Sequence, residues 1–86
     1  MKIRLHRNFR RQYQKLRAGE QKRFKERRDL FLADPYHPLL NNHPLRGKYE
    51  GYRSINIGGD IRAIYKRLAQ DTALFVQIGP HHALYS

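Results

Sequence analysis

Lys2-Ile3-Arg4-Leu5 alternates charged and apolar side chains, the two-residue period of a half-buried strand. From Asn8 the period lengthens. Phe9, Tyr13 and Leu16 fall at i, i+4 and i+7, one stripe of an amphipathic helix, with Asn8 as its expected N-cap and Ala18-Gly19 as its end. A second helix is predicted from about Glu20 to Leu32. Phe24 and Phe31 form its buried stripe, Leu30 and Leu32 flank it, and Asp34-Pro35 stops it. The stretch DPYHPLLNNHPLRG then holds three prolines, two adjacent asparagines and a glycine, and predicts a long loop.

Three strand-like runs follow, KYEGYRSINI, DIRAIYKRL and ALFVQIG. Gly58-Gly59 between the first two is a hairpin signal, and AQDT supplies a polar turn before the third. The nearly continuous apolar character of the third predicts a central strand covered on both faces. The order is β-α-α-β-β-β. It defines an α+β fold in which a two-helix hairpin packs on one face of a mostly antiparallel sheet.

A two-residue loop at Gly58-Gly59 would set Ile57 opposite Asp60, Ile55 opposite Arg62 and Arg53 opposite Ile64. Arg53 and Arg62 would then be diagonal neighbours on one side of the sheet. Two guanidiniums brought together suit a phosphate clamp, and an Arg-Asp pair on a solvated face fits the same pattern.

Eighty-six residues, 40% of them hydrophobic and 12% aromatic, suffice for one small folded domain spanning 1–86. The chain has no cysteine, and MKIRLHRNFR has no apolar signal core, so a cytoplasmic setting is expected. No apolar run reaches membrane-spanning length. Charge changes the picture most. Eighteen Lys and Arg face seven acids, a net +11, and residues 1–34 carry 12 of the bases and 4 of the acids. Such an excess calls for a polyanionic partner: nucleic acid first, an acidic protein second, an anionic membrane last.

Histidines stand at 6, 37, 43, 81 and 82. None has the spacing of a zinc site, so neither metal nor cofactor is expected, and His6 receives no role. Acid–base chemistry fits better, because an unperturbed imidazole titrates near pH 6.5. RNA carries its own nucleophile, the 2′-hydroxyl. Its cleavage needs a base, an acid for the leaving 5′-oxygen and cations for the phosphorane charge. His43, His81, Asp60, Arg53 and Arg62 could supply these.

Read together, HPLRGKYEGYRSINIGGDIRAIYKRL and FVQIGPHHALYS resemble the RelE/ParE superfamily of bacterial toxins, and most of all its YafQ-like branch. The resemblance implies the same α+β fold and ribosome-dependent cleavage of messenger RNA. It also implies a cognate antitoxin that silences the toxin, with messenger RNA and ribosomal RNA as the other partners. By that pattern His43 and His81 match catalytic histidines and Asp60 the catalytic aspartate. Arg62 matches a phosphate-stabilising arginine, Arg53 the place of a catalytic lysine and Tyr85 a functional aromatic. Arg53, Asn56, Arg46 and Lys66 are expected to contact substrate. Asn56 stands where the branch has a further histidine, and His82 matches no family position, so it reads as a bystander. Two alternatives stay open: a non-catalytic ParE-like toxin that binds DNA gyrase, and a basic RNA-binding module or decayed toxin.

Overall fold

The computed structural model describes residues 1–85, with side chains through Leu84. Its elements are β1 (Lys2–Leu5), α1 (Arg7–Gln14), α2 (Ala18–Ala33), β2 (His43–Pro44), β3 (Arg53–Gly58), β4 (Ile61–Ala69), β5 (Thr72–Pro80) and α3 (His81–Tyr85). Single 3₁₀ turns at Pro38–Leu40 and Gly47–Tyr49 interrupt the segment between α2 and β3. The strands form one sheet in the order β1-β5-β4-β3-β2. β1 runs parallel to β5, and the remaining neighbours are antiparallel. The expected α+β architecture is therefore present, with a short edge strand and a terminal helix added to it.

The helical stripes and one sheet face build the core. Phe9 of α1 and Phe24 and Phe31 of α2 pack with Ile55, Ile57, Ala63, Tyr65, Phe75 and Ile78. Phe31 meets Tyr65 at 5.0 Å between ring centroids, and Tyr65 meets Phe75 at 5.1 Å. Aromatic pairs at such distances add directional attraction to the burial of large apolar area. Tyr13, Leu16 and Leu30 lie at the rim of this cluster, while Leu32 is exposed.

The helix ends differ from their expected places for local reasons. His6, not Asn8, caps α1: its Nδ1 accepts the Asn8 backbone N–H at 3.0 Å. Asn8 instead donates its side-chain amide to the Val76 carbonyl. α1 closes at Gln14, with the Lys15 and Leu16 N–H groups turning back to Gln12 and Tyr13. α2 starts at Ala18, so Gly19 sits in its first turn rather than ending α1. The Glu20 carboxylate accepts the Arg17 backbone N–H at 2.9 Å, which fixes that start.

The second face of the sheet is only partly closed. Tyr49, from the segment between β2 and β3, has its hydroxyl bonded to Gln77 on β5, so this segment crosses over β4. Ile64 and Ser54 beneath it are fully buried. On β5, Leu74, Val76 and Gln77 remain half-buried, so that strand is central but fully covered on the helix side alone.

The β3–β4 register overturns the expected pairing. Gly58 joins the ladder opposite Ile61, which moves the turn to Gly59-Asp60, and an irregularity between Asn56 and Gly58 takes back one position. The net slip is one residue. Arg53 now faces Tyr65, and Arg62 faces Asn56. A one-residue slip exchanges the two faces of a strand. Arg53 therefore shares the helix-covered side with Ile55 and Ile57, and Arg62 lies on the other side with Ser54 and Ile64. The clamp of two neighbouring guanidiniums does not form. Gly58 has a φ of +143°, a backbone conformation that residues with a Cβ rarely adopt, so glycine is favoured at this point of the ladder.

Candidate functional site

Cross-strand partners share a face, and this rule gathers the site. His43 pairs with Ser54, Asn56 lies two residues further along β3, and Arg62 pairs with Asn56. His43, Asn56 and Arg62 thus project from the face that the helices leave uncovered. Lys66 is on this face as well, further along β4, with its ammonium 5.6 Å from the Tyr52 ring centroid.

Asn56 aims Arg62. Its side-chain oxygen accepts from Arg62 Nη1 at 3.0 Å and from the Gly58 backbone N–H at 3.1 Å. The same Nη1 also donates to the Gly59 carbonyl at 3.0 Å. These acceptors hold one edge of the guanidinium at the β3–β4 turn. An asparagine oxygen can do this for a cation, whereas a protonated imidazole could not.

His43 is oriented by backbone. Its Nδ1 lies 2.8 Å from the Asn41 carbonyl oxygen. A carbonyl only accepts, so Nδ1 carries the hydrogen and the neutral ring keeps its lone pair on Nε2. Asn41 presents that carbonyl from a left-handed conformation (φ 45°) at the end of the first 3₁₀ turn.

Arg53, by contrast, fastens the loop that carries His43. Its Nε donates to the Asn42 side-chain oxygen at 2.8 Å, and its guanidinium stacks 5.4 Å from the Tyr36 ring centroid. Asn42 also donates to the Pro35 carbonyl and to the buried Tyr65 hydroxyl, each at 2.8 Å. Arg53 lies on the covered side, across the sheet from Arg62, and ties the His43 loop to β3.

The far end of the face is built from the β3–β4 turn and α3. The His81 backbone N–H bonds to the Asp60 carbonyl at 2.9 Å, which ties the helix to the turn. His82 is not isolated from the site: its Nδ1 stands 3.7 Å from Asp60 Oδ2, with both groups exposed. A pair so open to water contributes little stability. Arg46 is exposed just before the second 3₁₀ turn. The Tyr85 side chain lies outside the described residues. Among the described residues, no group of three or more His, Asp or Glu side chains is placed to hold a metal ion. No helix among them is long and apolar enough to cross a membrane.

Asn42 and Tyr49 had no place in the sequence reading. The paired asparagines of a proline-rich loop were a usable signal for Asn42, since a buried amide must find partners. Nothing local marks Tyr49, whose hydroxyl accepts from Gln77 Nε2 at 2.6 Å and donates to the Leu84 carbonyl at 3.3 Å.

Residues 1–86 match the family profile described as a bacterial toxin of type II toxin–antitoxin systems, YafQ. The chain belongs to the YafQ toxin family. No curated protein sequence is significantly similar to it. The crystal structure of YafQ from Escherichia coli BL21(DE3) superposes with a TM-score of 0.82 at 23% identity, covering 98% of this chain and 97% of that one. The YoeB/ParE toxin of Agrobacterium tumefaciens gives 0.78 at 21% identity, covering 94% and 99%. The toxin of the E. coli DinJ–YafQ complex gives 0.68 at 25% identity, covering 98% and 97%. At position 56, where the resemblance led to the expectation of a histidine, the asparagine holds Arg62.

Proposed function

We propose that this YafQ-family toxin is an endoribonuclease that cuts messenger RNA in the ribosomal A site by transesterification. One observation carries the reading. The His43 ring is locked by a backbone carbonyl with Nε2 ready to accept a proton, on the same sheet face as an Arg62 guanidinium aimed by Asn56.

In the reaction, His43 Nε2 takes the proton of a 2′-hydroxyl. The oxygen attacks the adjacent phosphorus, and the bond to the 5′-oxygen of the next nucleotide breaks as His81 protonates that leaving group. A 2′,3′-cyclic phosphate and a free 5′-hydroxyl result. Arg62 stabilises the charge that builds on the phosphorane oxygens. Asp60, joined to α3 through the His81 N–H, keeps the acid at the mouth of the site. Arg46 and Lys66 contact phosphates, and Tyr85 stacks on a base. The twelve Lys and Arg of residues 1–34 face ribosomal RNA through sequence-independent phosphate contacts. The single domain acts in the cytoplasm without a cofactor. A cognate antitoxin rich in acidic residues silences it, as the DinJ–YafQ pairing of a relative supports.

Induced expression with primer extension on a reporter transcript tests this. The wild-type chain should arrest growth and create new 5′ ends inside the reading frame. His43→Ala and His81→Ala should each reduce cutting by about 100-fold or more. Undiminished cutting by both variants, or DNA damage with messenger RNA left whole, would refute the assignment.

A further inference from the structure

Beside the candidate site, the same sheet face holds a groove of roughly 370 Å³ whose lining includes His6, Lys48, Tyr49, Tyr52, Lys66 and Gln77. Two tyrosine rings meet edge to face at 6.0 Å, and each carries an ammonium: Lys48 Nζ is 5.4 Å from the Tyr49 centroid and Lys66 Nζ 5.6 Å from that of Tyr52. Among the described residues no carboxylate lines the groove. The Tyr49 hydroxyl is tied to Gln77 and to the Leu84 carbonyl, which fixes its ring.

His6 adds a donor of defined direction. Its Nδ1 accepts the Asn8 N–H, so the neutral ring carries its hydrogen on Nε2. This is the opposite tautomer to that of His43. One imidazole of this face is arranged to accept a proton and the other to offer a hydrogen bond.

We infer that this groove is a nucleotide-binding subsite of the toxin, taking an unpaired ribonucleotide that flanks the cleaved bond. The inference rests on the endoribonuclease reading and extends it. Aromatic faces interleaved with cations are what single-stranded nucleic acid needs, because every base has a π-face and every linkage a charge. A base laid against Tyr52 replaces the Lys66 ammonium. The lysine's flexible stem lets that charge move to the phosphate without leaving the site. Strand geometry sets the spacing: Lys66 lies four residues beyond Arg62 on β4, about 13 Å along the strand. A short extended stretch of RNA covers that length while its scissile linkage stays at Arg62. An acidic polypeptide would satisfy the lysines but leave the rings without a stacking partner.

The test is a titration of the folded protein, followed by NMR, with a short single-stranded oligoribonucleotide methylated at every 2′-oxygen so that it cannot be cut. Resonances of Tyr49, Tyr52, Lys66 and His6 should shift. Tyr52→Leu should weaken binding about tenfold or more, and Lys66→Gln should weaken it severalfold, with Tyr52→Phe close to wild type. Tyr52→Phe and Lys66→Gln keep the groove's shape, so the test survives if Tyr52→Leu fails to fold. Shifts confined to the basic helices, unchanged affinity in Tyr52→Leu or Lys66→Gln, or equal binding of an oligoglutamate at the same resonances would each overturn the subsite. Reporter cleavage by the same variants separates the two readings. Normal cutting with undiminished oligonucleotide affinity removes the subsite alone, whereas absence of cutting by wild type removes the nuclease reading while the titration still reports on the groove.

Discussion

On the helix-covered face, β3 and β4 present Ile55, Ile57, Ile61, Ala63 and Tyr65, with Arg53 and Arg67 at the end of the row. On the opposite face the same strands present Ser54, Asn56, Arg62, Ile64 and Lys66. Arg53 and Arg62 show what the division means. Arg53 spends its donors on Asn42 and its plane on Tyr36, which joins the His43 loop to the sheet. Arg62 is held along one edge by acceptors at the turn, next to Asp60 and α3. One face makes the scaffold that holds the His43 loop; the other carries the exposed polar and charged groups of the candidate site.

Truncation at the core should separate the faces most strongly. Phe31 is fully buried against Tyr65 and Phe75, so Phe31→Ala is expected to lower unfolding free energy by about 3–5 kcal/mol in a denaturant titration. A loss below about 1 kcal/mol would mean that the aromatic cluster is not the scaffold. Next comes Arg62→Ala. It should slow cleavage on ribosomes by about 100-fold or more, equivalent to about 3 kcal/mol of transition-state stabilisation, with little change in unfolding. Arg53→Ala should behave the other way. Losing hydrogen bonds to Asn42 is expected to remove about 1–3 kcal/mol of stability, with activity falling because His43 loses its loop. A variant that kept full stability and lost cleavage alone would return Arg53 to the substrate's side. The smallest effect concerns Ser54, whose Oγ is buried with no hydrogen-bond partner among the described residues. Ser54→Ala should raise stability by about 1 kcal/mol, read from the same titrations.

The order of helices and strands and most of the core were legible in the sequence, because Phe9, Phe24 and Phe31 mark helical stripes and the apolar run at 73–79 marks an inner strand. What escaped depends on distant partners. The Gly58-Gly59 pair announced a hairpin, but the step from that turn to its neighbour goes with the irregularity at Asn56–Gly58 and the positive φ of Gly58. Alternation alone could not choose the register, and the faces of Arg53 and Arg62 went with it. β2 is two residues long, too short to show any period, and it exists because His43 and Pro44 find Ser54 and Arg53. His6 looked idle because a capping nitrogen is visible only once α1 has formed. The resemblance of the HPL, GYR and D-R-IYK segments drew attention to His43, Asp60 and Arg62, but how His43 is oriented depends on Asn41, a residue the motifs do not contain.

The central claim is that a ribose hydroxyl is activated on the His43–Arg62 face. The direct measurement is cleavage, by purified protein on programmed ribosomes, of a transcript with one 2′-deoxynucleotide placed immediately before the scissile linkage. This single substitution should abolish cutting at that position, while the all-ribose transcript should yield a 2′,3′-cyclic phosphate end in a reaction lost with His43→Ala. Continued cutting at the deoxy position would contradict it.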